Sequence, residues 1–262
     1  ANITSGAMFT STFKLRDTFD QLEYLIAKGR IDPSFQNLAD RYREVLAEIQ
    51  MSKEPEAIIK LKPSQLEHLC FSHNRVIHYA EAPRIGSSTI NGSLDFKQIE
   101  DRYLSSSVSV TMLDDFLVPE ALHGLQDFCL KSTIFFSPVG NHYVSSSQSS
   151  GFNCDLLYQV VEELKERFPR ILGSHHLANM WIYRYNNQSE GVVAHTDKGA
   201  VTFNFWITPD HANRIPDRGG IIVYTKEQPH DWDWQYYNSQ STVAERLGRL
   251  NNLLLAPLPC FF

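Results

Sequence analysis

The sequence predicts an α+β protein: a helical N-terminal region, then short strands forming a β-sandwich or jelly roll with helices packed outside. Three patterns predict it. Apolar residues recur at helical spacing between Phe19 and Ile49. A strict period of two runs from Val201 to Thr208. Short aromatic or β-branched runs alternate with Gly, Pro and Asn turns between Met180 and Tyr224.

The elements follow in order. Residues 1–7 precede Met8-Phe9, are expected to be a vector remnant, and are set aside. Residues 8–80 form the helical region. Phe19, Leu22, Leu25 and Ile26 share a face, and Gly29 stands where a C-cap glycine belongs. Asp32-Pro33 opens a second helix whose face is Phe35, Leu38, Tyr42, Val45, Leu46 and Ile49, giving an αα-hairpin. A third helix is predicted after Pro63, from Ser64 to about His73. Residues 81–104 read as a linker and a short helix, because Glu81 to Ser93 is rich in Pro, Gly and Ser. The β domain spans 105–262. It holds a strand at Val108, Val110 and Met112, a helix from Pro119-Glu120 through Leu130, and an amphipathic helix from Leu156 to Phe168. Strands follow at Met180–Tyr185, at Val201–Thr208, and at Ile221–Tyr224 after Gly219-Gly220.

Composition bounds the function. Hydrophobic residues make up 42% and aromatics 12%, enough apolar surface for a core, which excludes a disordered chain. The net charge is −6 with no basic stripe, so nucleic acid is not an expected partner. Cys70, Cys129, Cys154 and Cys260 are isolated, which points to free thiols in a reducing compartment rather than disulfides or a zinc knuckle. No apolar run reaches spanning length and no secretory signal opens the chain, so the expected location is cytoplasmic, with no membrane partner.

The chemistry concentrates at His195-Thr196-Asp197. In a strand, residues i and i+2 point to one face, so an imidazole and a carboxylate meet the same cation. Two histidines and a carboxylate on one octahedral face leave three positions open, the facial triad of non-haem Fe(II) oxygenases. A surface histidine beside a solvated aspartate has the same tripeptide. The context favours the metal: an aromatic strand precedes it, and an alternating strand and a Gly-Gly turn follow.

The stretch from about Asn179 to Trp234 resembles the 2-oxoglutarate/Fe(II)-dependent oxygenases, in particular bacterial members associated with tetratricopeptide repeats. The residues that carry it are His195-Thr196-Asp197, Asn204-Phe205-Trp206-Ile207-Thr208-Pro209-Asp210, Gly219-Gly220 and Asp231-Trp232-Asp233. Asp114-Asp115-Phe116-Leu117, Gly151-Phe152-Asn153-Cys154 and the helix pair at 19–50 extend it over most of residues 9–238. The resemblance implies a double-stranded β-helix, Fe(II), 2-oxoglutarate and O₂, with His195 and Asp197 as iron ligands. It implies that Tyr183 and Asn204 line the oxo-acid pocket. A packed core tyrosine and a solvent-facing asparagine are the alternatives for those two.

Two family features lack a clear counterpart. The second histidine ligand is expected on the order of 45 residues beyond the H-x-D strand. Only His211 and His230 follow Asp197, 14 and 33 residues on. His230 is the candidate third ligand, and an ordinary loop histidine is the alternative for each. The family also implies an arginine beyond that histidine, pairing with the distal carboxylate of 2-oxoglutarate. Arg246 and Arg249 lie in a predicted helix from Ser241 to Leu250 and read as a solvated face. The C-terminal part therefore reads as incomplete or altered, and an exposed sheet edge would favour homo-oligomers.

The function expected from this reading is an Fe(II)/2-oxoglutarate dioxygenase hydroxylating a peptidyl or small-molecule substrate. The alternative is a catalytically inactive oxygenase-fold module that docks partners through its helical N-terminus. A cupin-type metal protein is a third reading, disfavoured because only one histidine lies near Asp197. His68, His73 and His78 recur every five residues, which places them on no common face. Asp231-Trp232-Asp233-Trp234 is expected to be an acidic-aromatic loop packed on the sheet.

Overall fold

The computed structural model describes residues 8–51, 58–139, 142–186, 195–212, 223 and 233–238. They fall into two compact units, one drawn from Ala1–Ile90, Leu117–Glu163 and Leu177–Glu190, the other from Asn91–Phe116, Leu164–His176 and Gly191–Phe262.

The first unit begins with the predicted hairpin. Ser11 caps helix α1 (Thr12–Ala27) by accepting the Lys14 N–H at 3.1 Å. Gly29 ends it at φ +62, and the Arg30 N–H reaches back to the Leu25 carbonyl at 2.8 Å. Asp32 does not start the second helix directly. It caps a 3-10 turn, Pro33–Phe35, and helix α2 (Gln36–Met51) follows. Leu15 and Leu22 pack against Ala39, Tyr42, Val45, Leu46 and Ile49. A two-residue ladder of β1 (Phe9–Thr10) with β2 (Ile59–Lys60) closes this core, and helix α3 (Pro63–His68) covers it with Leu66. Helix α3 is shorter than predicted. The Phe71 N–H bonds back to the Leu66 carbonyl, and Cys70 and Phe71 turn left-handed at φ 51 and 54.

The segment after Glu81 contains neither helix nor strand until Phe96, apart from a bridge at Ile90 to Leu117. Its first part is nonetheless fixed. Helix α4 (Phe96–Ser105) belongs to the second unit, and helices α5 (Pro119–Lys131) and α6 (Asp155–Arg167) match the sequence reading closely. Gln159 on α6 accepts the Ile85 N–H at 2.9 Å, and Glu163 accepts the Thr89 and Ile90 N–H groups. Thr89 and Ile90 are fully buried.

The larger sheet runs β3 (Ser137–Val139), β4 (Tyr143–Ser147), β5 (Trp181–Tyr185), antiparallel throughout, with Tyr143 opposite Tyr185 and Ser145 opposite Tyr183. The sequence pattern predicts β5 but not β3 and β4, because a serine-rich run carries little strand propensity. Val144 and Ser146 are buried on one face, while Tyr143, Tyr183 and Tyr185 cluster on the other.

The second unit is organised by aromatic rings. Phe168 contacts Phe96 edge-on at 5.6 Å, stacks with Phe116 at 6.2 Å and meets Phe203 at 6.1 Å. Helix α7 (Pro169–Leu172) docks on α4 through Glu100, which accepts the Arg170 N–H at 2.8 Å. Two sequence expectations change here. The Val108–Met112 alternation forms no strand, since Ser109 at φ 50 breaks the extended backbone. Residues 201–207 form neither helix nor strand, yet their alternation survives: Phe203 and Phe205 stack on the same side, 6.4 Å apart. Among the described residues the sheets are those of two and three strands. Gly219–Ile222 and the expected helix at 241–250 lie outside the described residues.

Candidate functional site

The residues that carry the proposed chemistry lie in a short segment of the second unit. His195 Nε2 stands 3.5 Å from Asp197 Oδ1, with the imidazole about half exposed and the carboxylate 29% exposed. The two side chains therefore share one side of the backbone, as the i, i+2 spacing requires of an extended chain. Just past them the Gly199 N–H bonds to the Asp197 carbonyl at 3.1 Å, turning the chain away. The residue between the pair is held from outside. Thr196 donates its N–H to Asn238 Oδ1 at 2.9 Å, and Asn238 Nδ2 donates to the Thr196 carbonyl at 2.7 Å.

Asn238 is the last residue of a short helix, α8 (Trp234–Asn238). Asp233 begins that helix by accepting the Tyr236 N–H at 2.7 Å. One member of the acidic-aromatic motif thus has a definite task as a cap. Sequence reasoning missed Asn238, since a lone asparagine 42 residues from its partner leaves no periodic signal.

Tyr183 sits on β5 in the first unit, 42% exposed, edge-on to Tyr143 at 5.4 Å, so it is not a packed core tyrosine. Asn204 is exposed, opposite in alternation to Phe203 and Phe205. His211 is exposed in the 3-10 turn Asp210–Ala212. His230, the candidate third ligand, lies outside the described residues. Among the described residues no three His, Cys, Asp or Glu side chains converge.

Comparison of the chain with protein-family models, with curated proteins and with solved structures finds no match. The site therefore rests on its own geometry. A bonded pair of cis donors on an octahedral cation at about 2.1 Å stands about 3 Å apart, so the His195–Asp197 spacing needs only a small closure. The donor set, one imidazole nitrogen and one carboxylate oxygen, fits two of the three facial-triad positions.

His68, His73 and His78 are engaged by other partners. His68 Nε2 pairs with Glu44 at 2.7 Å on the surface, and His78 Nδ1 meets the Lys131 carbonyl at 3.0 Å. His73 is buried, and burial first, with the nearby Lys14 charge, pushes its pKa down to about 4. The five-residue spacing thus sends them to three unrelated places. Cys129 and Cys154 are buried free thiols, and burial pushes Cys129 up to about 12, which leaves it unreactive at neutral pH. An open cavity of about 460 Å³ beside α4, lined by Arg102, Ser105 and Met112 among others, includes none of the described candidate residues. No described helix is long and apolar enough to cross a membrane.

Proposed function

We propose that this chain is an Fe(II)- and 2-oxoglutarate-dependent dioxygenase of the double-stranded β-helix type, acting in the cytoplasm on a peptidyl or small-molecule substrate. The observation that supports this reading best is the approach of His195 Nε2 to Asp197 Oδ1, with both side chains reachable from solvent. His195 and Asp197 would hold the metal, and His230 is the sequence's candidate for the third position. When bound, iron couples conversion of 2-oxoglutarate and O₂ into succinate and CO₂ to insertion of one oxygen atom into a substrate C–H bond. The chain's own contribution is to hold two donors together within reach of solvent. Asn204, in the same unit as the pair, is the proposed residue for the oxo-acid.

The test is anaerobic calorimetry with Mn(II), followed by 2-oxoglutarate, on the wild type and on His195→Ala and Asp197→Ala. The reading expects Mn(II) binding that both substitutions abolish, and 2-oxoglutarate binding that depends on the metal. Metal affinity indifferent to both substitutions would sink it. Metal binding without 2-oxoglutarate-dependent succinate release would favour the second reading, an oxygenase-fold binding module. The pair of donors standing without a third among the described residues is the observation on that side.

A further inference from the structure

The feature that neither sequence nor proposed chemistry anticipates is the amide of Asn238 laid against the backbone of Thr196. In an antiparallel ladder, a hydrogen-bonded pair of residues exchanges two bonds: each N–H meets the other's carbonyl. Thr196 makes both of those bonds, N–H outward at 2.9 Å and carbonyl inward at 2.7 Å, to a single side chain. The carboxamide carries one acceptor and one donor at the spacing of a backbone partner. Asn238 therefore stands in for a neighbouring strand at one residue.

That residue is the one between the two candidate ligands. Fixing both polar groups of Thr196 fixes the peptide planes on either side of it. Those planes set the directions of the Cα–Cβ bonds of His195 and Asp197. Residues 195–197 carry no strand assignment, and at Thr196 the Asn238 amide supplies the pairing. We propose that Asn238 is a positioning residue, whose amide holds Thr196 so that His195 and Asp197 are presented together to a divalent cation. This inference rests on the donor-pair reading above. Asn238 touches no ligand itself; it acts through the backbone, as groups behind a metal ligand do when they orient it. Asn238 ends helix α8, whose first turn Asp233 closes.

The experiment is an anaerobic titration with Co(II), read by its visible absorption bands, which report donor type and geometry. Four variants of the full chain are compared with the wild type: Asn238→Ala, Asn238→Asp, His195→Ala and Asp197→Ala. Asn238→Asp keeps the shape and still accepts the Thr196 N–H but, when ionised, donates nothing to the carbonyl, so it serves if Asn238→Ala fails to fold. The expected result is loss of the Co(II) bands in the His195 and Asp197 variants. Asn238→Ala should weaken Co(II) affinity by about tenfold or more with an unchanged melting temperature, and Asn238→Asp by less. Unchanged affinity in both Asn238 variants, with loss in the His195 and Asp197 variants, overturns the clamp and leaves the donor pair standing. Retained affinity in His195→Ala and Asp197→Ala overturns the donor pair and the clamp with it.

Discussion

Arg184 and Asp17, 167 residues apart, join strand β5 to helix α1: one guanidinium nitrogen donates to both carboxylate oxygens, at 3.0 and 3.2 Å. The other terminal nitrogen donates to the Cys129 carbonyl at 2.7 Å, and the guanidinium lies 3.9 Å over the Phe135 ring. Both charged groups are largely buried. Removing one charge strands the other. Arg184→Met should therefore destabilise by roughly 3 kcal/mol in urea unfolding. Asp17→Asn combined with Arg184→Met should cost less than the sum of the singles, because neither charge is then left alone. Additive losses would show that the pair is not what holds β5 to α1.

Glu163 is the anchor of the segment Ser88–Ile90. Its carboxylate accepts Ser88 Oγ at 2.6 Å, the Thr89 N–H at 2.9 and 3.0 Å, the Ile90 N–H at 3.2 Å and Gln159 Nε2 at 3.1 Å. Burial works to raise its pKa, but the donors outweigh it and hold the carboxyl below the ordinary glutamate value. A lowered folded pKa means the unfolded chain takes up the proton first. The stabilisation is thus complete above the unfolded pKa and is lost as pH falls through the folded one. Glu163→Gln should cost about 1–2 kcal/mol at neutral pH and flatten the acid limb of a melting-temperature titration. An acid limb identical to the wild type's would refute this.

Lys14 is a buried ammonium whose Nζ donates to Thr18 Oγ1 at 2.6 Å. Burial, partly opposed by Asp17, pushes its pKa from 10.5 down to about 8. Below pH 8 both folded and unfolded chains carry the proton, so the penalty is full and constant. Between 8 and 10.5 only the unfolded chain binds it, and stability rises with pH. Lys14→Met should stabilise at pH 7 on the order of 2 kcal/mol, and the advantage should shrink by pH 10 in urea unfolding.

His73 titrates with the same sign at lower pH. It is neutral when folded, its Nε2 faces the Phe9 carbonyl at 3.1 Å, and its Nδ1 is buried without a described partner. Between its ordinary 6.5 and the folded value of about 4 the unfolded chain alone takes up a proton. Stability should fall as pH drops through that window, and His73→Gln should remove the slope. A slope that persists in the variant would assign it elsewhere.

Gly151 sits at φ +116, and a Cβ there would come within 2.8 Å of Ile134 Cγ2, itself fully buried. Gly151→Ala should cost about 2–3 kcal/mol through combined strain and overpacking. Gly86 is the control, since a Cβ added there would meet nothing within 4 Å, and Gly86→Ala should be neutral or slightly stabilising. Equal melting temperatures for the two variants would contradict the steric account.

Helices α1, α2, α5 and α6 could be read before folding because a repeat near four residues and a capping glycine are local properties, settled by bonds between residues three to five apart. The same is true of β5, and of the shared side of His195 and Asp197, which follows from a period of two. Local pattern also misleads where one residue departs from it, as Ser109 does at φ 50 in the Val108–Met112 run.

Other features have no local signature. Serines 145–147 become a central strand only because β5 arrives to pair with them. Glu163 fastens a Pro- and Ser-rich stretch that composition alone marks as a tether. Arg184 finds Asp17, and Asn238 finds Thr196, across distances along the chain at which side-chain identity says nothing about the partner. Short-range order is written in spacing. Which polar groups meet across the fold is decided by packing, because a hydrogen bond in the interior forms with whatever group folding brings within about 3 Å.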